Sequence, residues 1–432
     1  MTLDCDILIA GAGPAGCAAA YDLAQAGKQV ILLDKRTFPR PKACACGLTR
    51  KTLKALRYSV DPVIERVCHE IVLQQATEPD AHQSRNTDVR VKTRNPICAM
   101  AVRERFDDFC LQQTLRAARQ GGSIELRKID HITALREFPD AIELDVATPR
   151  GPETLRAPIL IGADGSNGQT RRLTLHDNDS ISQDGFALEA TVPYTSLPAT
   201  LPNGASPHDL VFDFAPLPGG YGWLFPKADH INIGVGAFAP SSASPSSPKR
   251  SPSAQDCAQD PGAPFMTASS SWVGSRNASL KQVTRALLLD YAQQKLGVTT
   301  LPHITGQHLG MGGHNYVPRG RVLLVGDAAG LVDPLTGEGI HSAIVSGQAA
   351  AAAILDCDLH NQPDVAAAYA RHLSPLLKTL TFSHRAARAF YAHPERGFKA
   401  MRTPFMRSLI LKTYADGLPH TSLISALAKL TT

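Results

Sequence analysis

The chain of 432 residues carries a formal net charge of +5, and 43% of its residues are hydrophobic. This length suggests about two domains, with enough apolar material to bury a large ligand. A charge this modest does not indicate nucleic-acid binding, and nine cysteines are scattered without the spacing of a zinc or iron–sulfur site. We therefore expect no nucleic-acid partner, no bound metal and a reduced, cytoplasmic setting.

Residues 1–6 include acids and lead directly into a strand pattern, unlike the charged head and apolar middle of a signal peptide. The long apolar stretches are broken by charge or glycine before the roughly 20 residues that a membrane-crossing helix needs. The sequence therefore predicts a soluble protein, or one that is at most peripheral to a membrane.

A buried-strand pattern near the N-terminus is followed by GAGPAG at residues 11–16, and then by an alanine-rich helix pattern from about residue 17 to 25. Gly11 allows a tight bend, Gly13 lets the backbone approach a pyrophosphate, and Gly16 lets the helix pack closely on the strand. The N–H groups and the dipole at the helix start favour an anion. This turn predicts a dinucleotide-binding site, although alone it also fits a capping turn without a ligand.

Two further strand patterns are each followed closely by an aspartate. Residues 30–33 lead to Asp34, roughly 20 residues beyond the glycines, where the Rossmann pattern places an acid on the adenosine ribose. Residues 321–325 lead to Gly326 and Asp327, at the strand end where open α/β sheets bind their ligands. Asp327 is therefore expected to accept a hydrogen bond from a polyol hydroxyl, and the two distant segments together predict one bound flavin.

The remaining helix and strand patterns indicate how the chain divides into domains. A helix is predicted from residue 103 to about 120, a buried strand at residues 159–162, and an antiparallel substrate sheet that includes residues 141–147 and 232–237. After residue 330 the pattern is helical. We predict a nucleotide-binding domain at residues 1–60, 95–170 and 305–355, a substrate domain at 61–94 and 171–304 with a flexible insert at 240–271, and a helical C-terminal region at 356–432.

The C-terminal region is strongly basic. From Arg371 to the end, ten Lys and Arg residues stand against only Glu395 and Asp416. Such a segment could meet a diphosphate or an anionic membrane surface, and it is equally compatible with a solvated helical face.

These motifs resemble those of FAD-dependent oxidoreductases of the geranylgeranyl reductase family, within a superfamily shared with flavin monooxygenases, aromatic hydroxylases and halogenases. The resemblance implies an α/β fold, α+β over the whole chain, with a Rossmann-like FAD-binding domain, an antiparallel-sheet substrate domain and a helical C-terminal region. It rests on residues 11–16, 42–48, 103–107, 162–165 and 326–340, and on YGWLFPK at 221–227 followed by NIGVG at 232–236.

By this resemblance, Arg103 approaches the flavin nucleotide, Asp164 sits in a second fingerprint and Asp327 bonds the ribityl chain. The turn at residues 337–340 places helix-starting N–H groups near the flavin ring, where negative charge develops on reduction. The residues predicted to contact FAD are Gly11, Gly13, Pro14, Ala15, Gly16, Asp34, Lys35, Cys46, Gly47, Arg103, Asp164, Asp327, Gly337, Gly339 and Ile340.

The family pattern Lys-x-Cys-Gly-Gly-Gly-Leu appears here with Ala45 and Cys46 in two glycine positions, while Cys44 keeps its place. The substitutions put the usual approach of the backbone to the flavin in doubt. Cys44 could donate a proton beside reduced flavin or pack as a small apolar residue.

Tyr221, Trp223 and Phe225 alternate along a predicted strand, so all three side chains should point to one face. Such an aromatic wall suits a long apolar chain lying against the flavin, and it is also compatible with ordinary core. Lys227 follows as a candidate ligand for a diphosphate, or as a simple strand-end charge. Tyr221 and Cys44 are the candidate proton donors.

The resemblance implies reduction of carbon–carbon double bonds in a polyprenyl substrate by hydride from reduced FAD. Because only one glycine-rich turn follows a strand, the electron source is expected to be a transient one: NADPH bound near Asp164, or a reduced electron carrier. The alternatives are an FAD-dependent monooxygenase or halogenase acting on an apolar or aromatic substrate, and a flavin protein passing electrons to quinone.

Overall fold

The computed structural model describes residues 3–75, 88–119, 121–174, 185–238, 280–357 and 364–417. The predicted flexible insert at residues 240–271 lies outside these ranges. The strands of the described residues are β1 (Ile7–Ala10), β2 (Gln29–Asp34), β3 (Gly47–Thr49), β4 (Ile64–Cys68), β5 (Glu70–Gln74), β6 (Val89–Lys92), β7 (Cys98–Ala101), β8 (Ser123–Lys128), β9 (His131–Glu137), β10 (Ile142–Thr148), β11 (Gly151–Ala157), β12 (Ile159–Gly162), β13 (Gly185–Pro193), β14 (Val211–Asp213), β15 (Gly220–Pro226), β16 (His230–Ala237), β17 (Thr305–Leu309) and β18 (Val322–Leu324).

The α-helices of the same residues lie between these strands and after the last of them. They are α1 (Pro14–Gln25), α2 (Arg50–Ala55), α3 (Arg103–Leu115), α4 (Gln169–Thr174), α5 (Arg285–Leu296), α6 (Ile340–Leu355), α7 (Val365–Ala392), α8 (Pro394–Met401) and α9 (Pro404–Asp416).

A parallel sheet with the strand order β18-β12-β1-β2-β8 forms the first layer. Its central strands are fully buried runs of aliphatic residues, which is typical of a sheet covered on both faces. Helices α1, α6 and α7 pack in one core with it. The buried strands predicted near the N-terminus, at residues 30–33, at 159–162 and at 321–325 are all present, and the predicted α/β fold is confirmed.

A second, seven-stranded sheet has the order β17-β13-β16-β15-β14-β5-β6. It is antiparallel except for β14 and β5, which run parallel. One face of this sheet packs on α5, and the other carries a cluster rich in aromatic side chains against the C-terminal helices. Strand β17 begins at Thr305, so the sheet extends a few residues into the range predicted for the nucleotide-binding domain.

The expectation that residues 141–147 and 232–237 share one antiparallel sheet is wrong. Strand β10 pairs with β9 and β11 in a separate three-stranded sheet, whereas β16 pairs with β13 and β15. The alternation of polar and apolar residues identified both strands correctly. It carries no information about the partner, which depends on contacts between segments distant in the chain.

Helix α3 ends at Leu115, earlier than the predicted residue 120. Beyond the helix, Gly122 lies against the end of α1, where a Cβ atom at Gly122 would approach the carbonyl oxygen of Ala24 to 2.4 Å. Helix α1 in turn begins at Pro14, earlier than predicted, because proline is favourable at the first helical position.

The C-terminal region is helical over its described residues, as predicted. Helix α7 is 28 residues long and α8 and α9 follow it with short connections. In the described part of the chain, no helix combines the length and the apolar character needed to cross a membrane.

Candidate functional site: the glycine-rich turn, the acidic strand ends and the aromatic wall

The glycines of the turn between β1 and α1 have two different roles. Gly11 has φ +110°, and a Cβ atom there would lie 2.3 Å from the carbonyl oxygen of Ala163. A Cβ atom at Gly16 would lie 1.9 Å from the carbonyl oxygen of Gly11. A Cβ atom at Gly13 would meet nothing nearer than Arg40 Nη2 at 3.7 Å. Gly11 and Gly16 are therefore required by packing, while Gly13 has an open side.

Arg40 is a residue of this site that the sequence reasoning missed. Its guanidinium pairs with Asp107 at 3.2 Å, and the same carboxylate pairs with Arg103 at 2.7 Å. Two cations therefore share one buried anion, which leaves net positive charge next to the turn. The only signal in the sequence was the basic character of the loop at residues 35–42.

Asp34 holds the turn in shape. Its carboxylate accepts hydrogen bonds from the backbone N–H groups of Ala12 at 2.9 Å and Arg36 at 2.8 Å. Lys35, which follows it, is exposed. The role of Asp34 as an acceptor for a ribose hydroxyl stays a prediction.

Asp327 lies at the end of β18, immediately after Gly326, whose φ is +55°. Among the described residues, none donates a hydrogen bond to the Asp327 carboxylate. Its Oδ1 atom would lie 3.2 Å from a Cβ atom at Gly339, the residue before α6. Lys42 is close enough that Asp327 favours its charged form, although burial and the charge of Arg103 lower the pKa of Lys42.

The loop before α6 is clamped by hydrogen bonds from other elements. The Ser383 hydroxyl of α7 lies 2.8 Å from both carboxylate oxygens of Asp333. Glu338 accepts hydrogen bonds from Thr49 at 2.8 Å and Thr52 at 2.9 Å, and it pairs with Lys51 at 2.7 Å. These contacts fix the start of α6, which has no side-chain cap.

These features fit FAD. Helix α1 begins without a side-chain cap at the open side of Gly13, which suits a diphosphate beside Arg40. The unpaired Asp327 carboxylate suits a polyol hydroxyl, and the uncapped start of α6 suits the electron-rich edge of a flavin ring. The structure thus brings the predicted glycine turn, Asp327 and the 337–340 turn to one end of the parallel sheet.

Asp164 makes a local contact. Its carboxylate accepts hydrogen bonds from the hydroxyl of Thr170 and, at 2.9 Å, from the backbone N–H of Thr170 at the start of α4. Burial raises the pKa of Asp164 above its ordinary value. Its predicted part in binding FAD, or in binding NADPH nearby, stays a prediction.

Cys44 and Cys46 are joined by hydrogen bonds. Cys46 has φ +49°, a left-handed conformation that is rare for residues other than glycine. Its backbone N–H donates to Cys44 Sγ at 3.3 Å. A hydrogen bond from the Cys46 side chain lowers the pKa of Cys44 well below its usual range, and the pKa of Cys46 is raised by the same bond and by burial.

Glu189 is the second residue that sequence reasoning missed. It lies in the middle of β13, is 9% exposed, and accepts a hydrogen bond from the Cys44 backbone N–H at 2.8 Å. Burial, followed by the charge of Cys44, raises the pKa of Glu189 to about 7, while the Cys44 N–H, Asn232 and Lys227 oppose the rise. A lone acid within the otherwise apolar stretch GFALEATVP was the signal available in the sequence.

The aromatic side chains of β15 lie on one face, as predicted. Tyr221, Trp223 and Phe225 share a buried cluster, while Leu224 belongs to the core on the opposite face. Phe212 packs against both Tyr221 and Phe225 at ring-centroid distances of 5.2 Å. The Tyr221 hydroxyl donates to the Thr336 carbonyl oxygen at 2.5 Å, and burial raises the pKa of Tyr221.

This aromatic wall reaches two segments that are predicted from the sequence to contact the flavin. A Cβ atom at Gly47 would lie 2.9 Å from the Phe225 ring, and one at Gly337 would lie 3.2 Å from the Tyr221 hydroxyl. The wall is covered from the other side by α7 and α8, where Phe390 and Phe398 pack on Phe214 at 5.0 and 5.6 Å. The apolar surface therefore continues from the predicted flavin region to the C-terminal helices.

Lys227 lies beneath the wall and is 2% exposed. Its ammonium group donates to the Ala45 carbonyl oxygen at 2.6 Å and contacts Met100 Sδ at 3.7 Å, and burial lowers its pKa. These contacts join the strand end to the segment that carries Cys44 and Cys46. Its predicted role in binding a diphosphate stays a prediction.

Comparison with known proteins shows an FAD binding domain over residues 4–187. The chain is 28% identical to an uncharacterized protein of Methanosarcina barkeri over 96% of this chain and 90% of that protein. It is 27% identical to digeranylgeranylglycerophospholipid reductase 2 of Methanosphaera stadtmanae, covering 80% and 76%. It is 28% identical to menaquinone reductase of Mycolicibacterium smegmatis, covering 81% and 76%.

Among solved structures, a geranylgeranyl bacteriochlorophyll reductase-like protein from Thermoplasma acidophilum has a TM-score of 0.68 at 18% identity, covering 90% of this chain and 87% of that chain. The flavin-dependent brominase Bmp2 has the same TM-score at 15% identity, covering 95% and 93%. At these identities the likeness establishes the fold alone.

The fold, the glycine turn and the matching domain define a flavoprotein that binds FAD. The relatives confirm the resemblance predicted from the sequence, and the chain is an FAD-dependent oxidoreductase similar to digeranylgeranylglycerophospholipid reductases.

Proposed function

We propose that this protein reduces carbon–carbon double bonds in the chain of a polyprenyl substrate. One observation carries the proposal: the aromatic wall contacts both segments predicted to hold the flavin ring, through Phe225 at Gly47 and through Tyr221 at Gly337. The names of the archaeal and mycobacterial relatives, which refer to prenyl lipids and to menaquinone, support the same substrate class.

Reduced FAD would supply the hydride, and the chain's own residues would supply the environment for the alkene. An isolated double bond has no carbonyl group to withdraw electrons, so positive charge develops as the reaction proceeds. Aromatic ring faces stabilise such charge, and the buried wall around Tyr221, Trp223 and Phe225 excludes water from the reacting carbons.

The proton for the second carbon comes, in this proposal, from the pair Cys44 and Cys46. The lowered pKa of Cys44 favours its thiolate and the raised pKa of Cys46 keeps the shared proton on Cys46, so the proton passes from Cys46 through Cys44 Sγ to the alkene carbon. Glu189, with a pKa near neutrality, lies beside Cys44 and is suited to return a proton to it. Tyr221 remains the second candidate donor, although its hydroxyl proton is held by the Thr336 carbonyl.

A free prenyl diphosphate, a prenylated quinone and an archaeal-type phospholipid all present the same apolar chain to the wall. The reductant is NADPH or a small reduced carrier that visits the flavin. Peripheral contact with a membrane through the basic C-terminal region, and a cytoplasmic location, stay predictions of the same kind.

The test uses FAD-loaded protein reduced with dithionite under anaerobic conditions. It is incubated separately with geranylgeranyl diphosphate, a prenylated quinone and a digeranylgeranyl phospholipid. The masses of the products are then measured by mass spectrometry. The proposal predicts the gain of one pair of hydrogens for each double bond reduced in at least one substrate. Unchanged substrates under nitrogen, with hydroxylated or halogenated products in air, would contradict it and favour the monooxygenase or halogenase alternative.

A further inference from the structure

A cavity of about 370 Å³ lies between β6, the segment that follows β6, and helix α9. Its volume falls within the range of small-molecule sites in proteins. It lies outside the FAD region and is formed where the edge of the seven-stranded sheet meets the C-terminal helices. Six cationic side chains line it: Arg50, Arg90, Lys92, Arg94, Arg407 and Lys412.

The charge of this cavity is only partly balanced. Arg50 pairs with Asp416, and Arg90 pairs with Asp209 and Glu70. In the part of the chain that the structure describes, the other four cations, which are Lys92, Arg94, Arg407 and Lys412, have no acidic partner, and no Asp or Glu lines the cavity. Cations that converge on a cavity without counter-charges create a positive potential that attracts anions.

The guanidinium group of Arg50 is only partly hydrogen-bonded by the described residues. Its Nη2 atom bonds Asp416, but its Nε atom is buried and has no hydrogen-bond partner among the described atoms. A buried donor without a partner is costly, so the described residues do not fully satisfy the Arg50 side chain. Guanidinium groups also match the geometry of phosphate oxygens.

The other wall of the cavity is apolar and leads toward the aromatic wall. Ile97 and Leu411 line the cavity and belong to the same buried cluster as Tyr221 and Phe225. On the next turn of α9, Tyr414 packs edge-on against Phe212 at 6.2 Å. The protein therefore presents, in order, a cluster of cations, an aliphatic surface and the aromatic wall.

We propose that this cavity binds the phosphate or diphosphate ester of an amphiphilic molecule, with the apolar part directed toward Ile97 and Leu411. The shared chemistry is a phosphate ester, and its source is either a free prenyl diphosphate or the head group of a membrane phospholipid. The placement of the apolar part rests on the proposed function, whereas recognition of the phosphate does not.

The test compares FAD-loaded full-length protein with two double variants. The cavity variant is Arg94→Gln with Lys412→Gln, which removes two unpaired cations. The control variant is Lys399→Gln with Arg402→Gln, which removes the same charge from exposed positions of α8 and its end. Inorganic pyrophosphate binding is measured by calorimetry, and vesicle binding by co-sedimentation with phosphatidylcholine alone or mixed with phosphatidylglycerol.

If the cavity binds a phosphate ester, the unmodified protein and the control variant should bind pyrophosphate or the mixed vesicles with the same affinity. The cavity variant should bind at least about tenfold more weakly, and binding should fall as salt increases. Loss of pyrophosphate binding alone identifies a free diphosphate as the source, and loss of vesicle binding alone identifies a lipid head group. If the parent binds neither probe, or if both double variants weaken binding equally, the proposal is overturned. Because neither probe carries a prenyl chain, the result is independent of the proposed reduction.

Discussion

Glu189 accepts a hydrogen bond from the backbone N–H of Cys44 across 2.8 Å, although the two residues are 145 positions apart in the chain. The bond joins the middle of β13, in the seven-stranded sheet, to the segment that leads into β3. It therefore ties the seven-stranded sheet to a segment predicted to contact the flavin. Since burial raises the pKa of Glu189 to about 7, the charge on this link changes near neutral pH.

The Glu189 carboxyl should make folding stability fall with rising pH. Its pKa is higher in the folded state than its ordinary value of 4.5, so the native protein binds more protons than the unfolded chain between these values. Between pH 5 and pH 8 this group alone should remove about 2 to 3 kcal/mol of unfolding free energy.

The variant Glu189→Gln should lack that loss, which urea unfolding at the two pH values would measure. Glu125→Gln is the control, because Arg127 lowers the pKa of this exposed carboxyl, so its contribution is lost only at more acidic pH. A parent protein and a Glu189→Gln variant with the same change between pH 5 and pH 8 would show that Glu189 is ionised throughout.

Replacing Cys46 should make Cys44 less reactive. The Cys46 thiol donates to Cys44 and favours its thiolate, so Cys46→Ala should raise the pKa of Cys44 and slow its alkylation by iodoacetamide at pH 7 by about tenfold. The rate at Cys44 would be followed by peptide mass spectrometry. Cys357→Ala, which removes a half-buried thiol in another region, should leave the rate unchanged. Equal rates in all three proteins would contradict the coupling.

Gly13 and Gly16 should respond differently to alanine, although they lie in one turn. Gly16→Ala places a methyl group 1.9 Å from a backbone oxygen, and it should destabilise the fold by at least about 2 kcal/mol, since the backbone must move. Gly13→Ala meets no protein atom nearer than 3.7 Å, so it should fold normally and bind FAD at least about tenfold more weakly. Thermal unfolding without FAD and flavin titration separate the two effects. Normal FAD affinity in Gly13→Ala would rule out a diphosphate at its open side.

Asp327 and Asp34 form a similar contrast. Asp327→Ala should weaken FAD binding while leaving the stability of the FAD-free protein nearly unchanged, because none of the described residues bonds its carboxylate. Asp34→Ala should lower that stability by about 1 to 3 kcal/mol, because the hydrogen bonds to Ala12 and Arg36 are lost. Flavin titration and urea unfolding give both quantities. A large loss of stability in Asp327→Ala would show a structural role instead.

Tyr221→Phe tests the second candidate proton donor. The hydroxyl donates to the Thr336 carbonyl, so its removal should cost about 1 kcal/mol of stability and loosen the turn before α6. If the proton comes from the Cys44 and Cys46 pair, anaerobic oxidation of the reduced flavin by substrate should slow far less in Tyr221→Phe than in Cys44→Ala. The reverse order would assign the proton to Tyr221.

Local patterns predicted most of the fold. The strand ending at Asp34, the glycine turn and the alternating aromatics at Tyr221, Trp223 and Phe225 follow from spacing within a few residues. Arg40 and Glu189 escaped prediction because their roles depend on contacts with Asp107 and Cys44, which lie far away in the chain.

The cationic cavity, like Arg40 and Glu189, could not be predicted from local sequence patterns. The excess of cations after Arg371 was visible in the sequence, but only two of those cations, Arg407 and Lys412, line the cavity. The other four cations come from α2 and from the edge of the seven-stranded sheet. Their convergence depends on the folded positions of α2, β6 and α9 around the cavity, which no periodicity in the sequence reveals.

The most direct test of the central claim follows the flavin itself. FAD-loaded protein is reduced with dithionite without oxygen, excess reductant is removed, and a geranylgeranyl substrate is added while the flavin absorbance is recorded. The account predicts that the flavin stays reduced until the prenyl compound is added and then returns to its yellow oxidised form. A flavin that remains reduced with every prenyl compound, or a protein that never retains FAD, would contradict it.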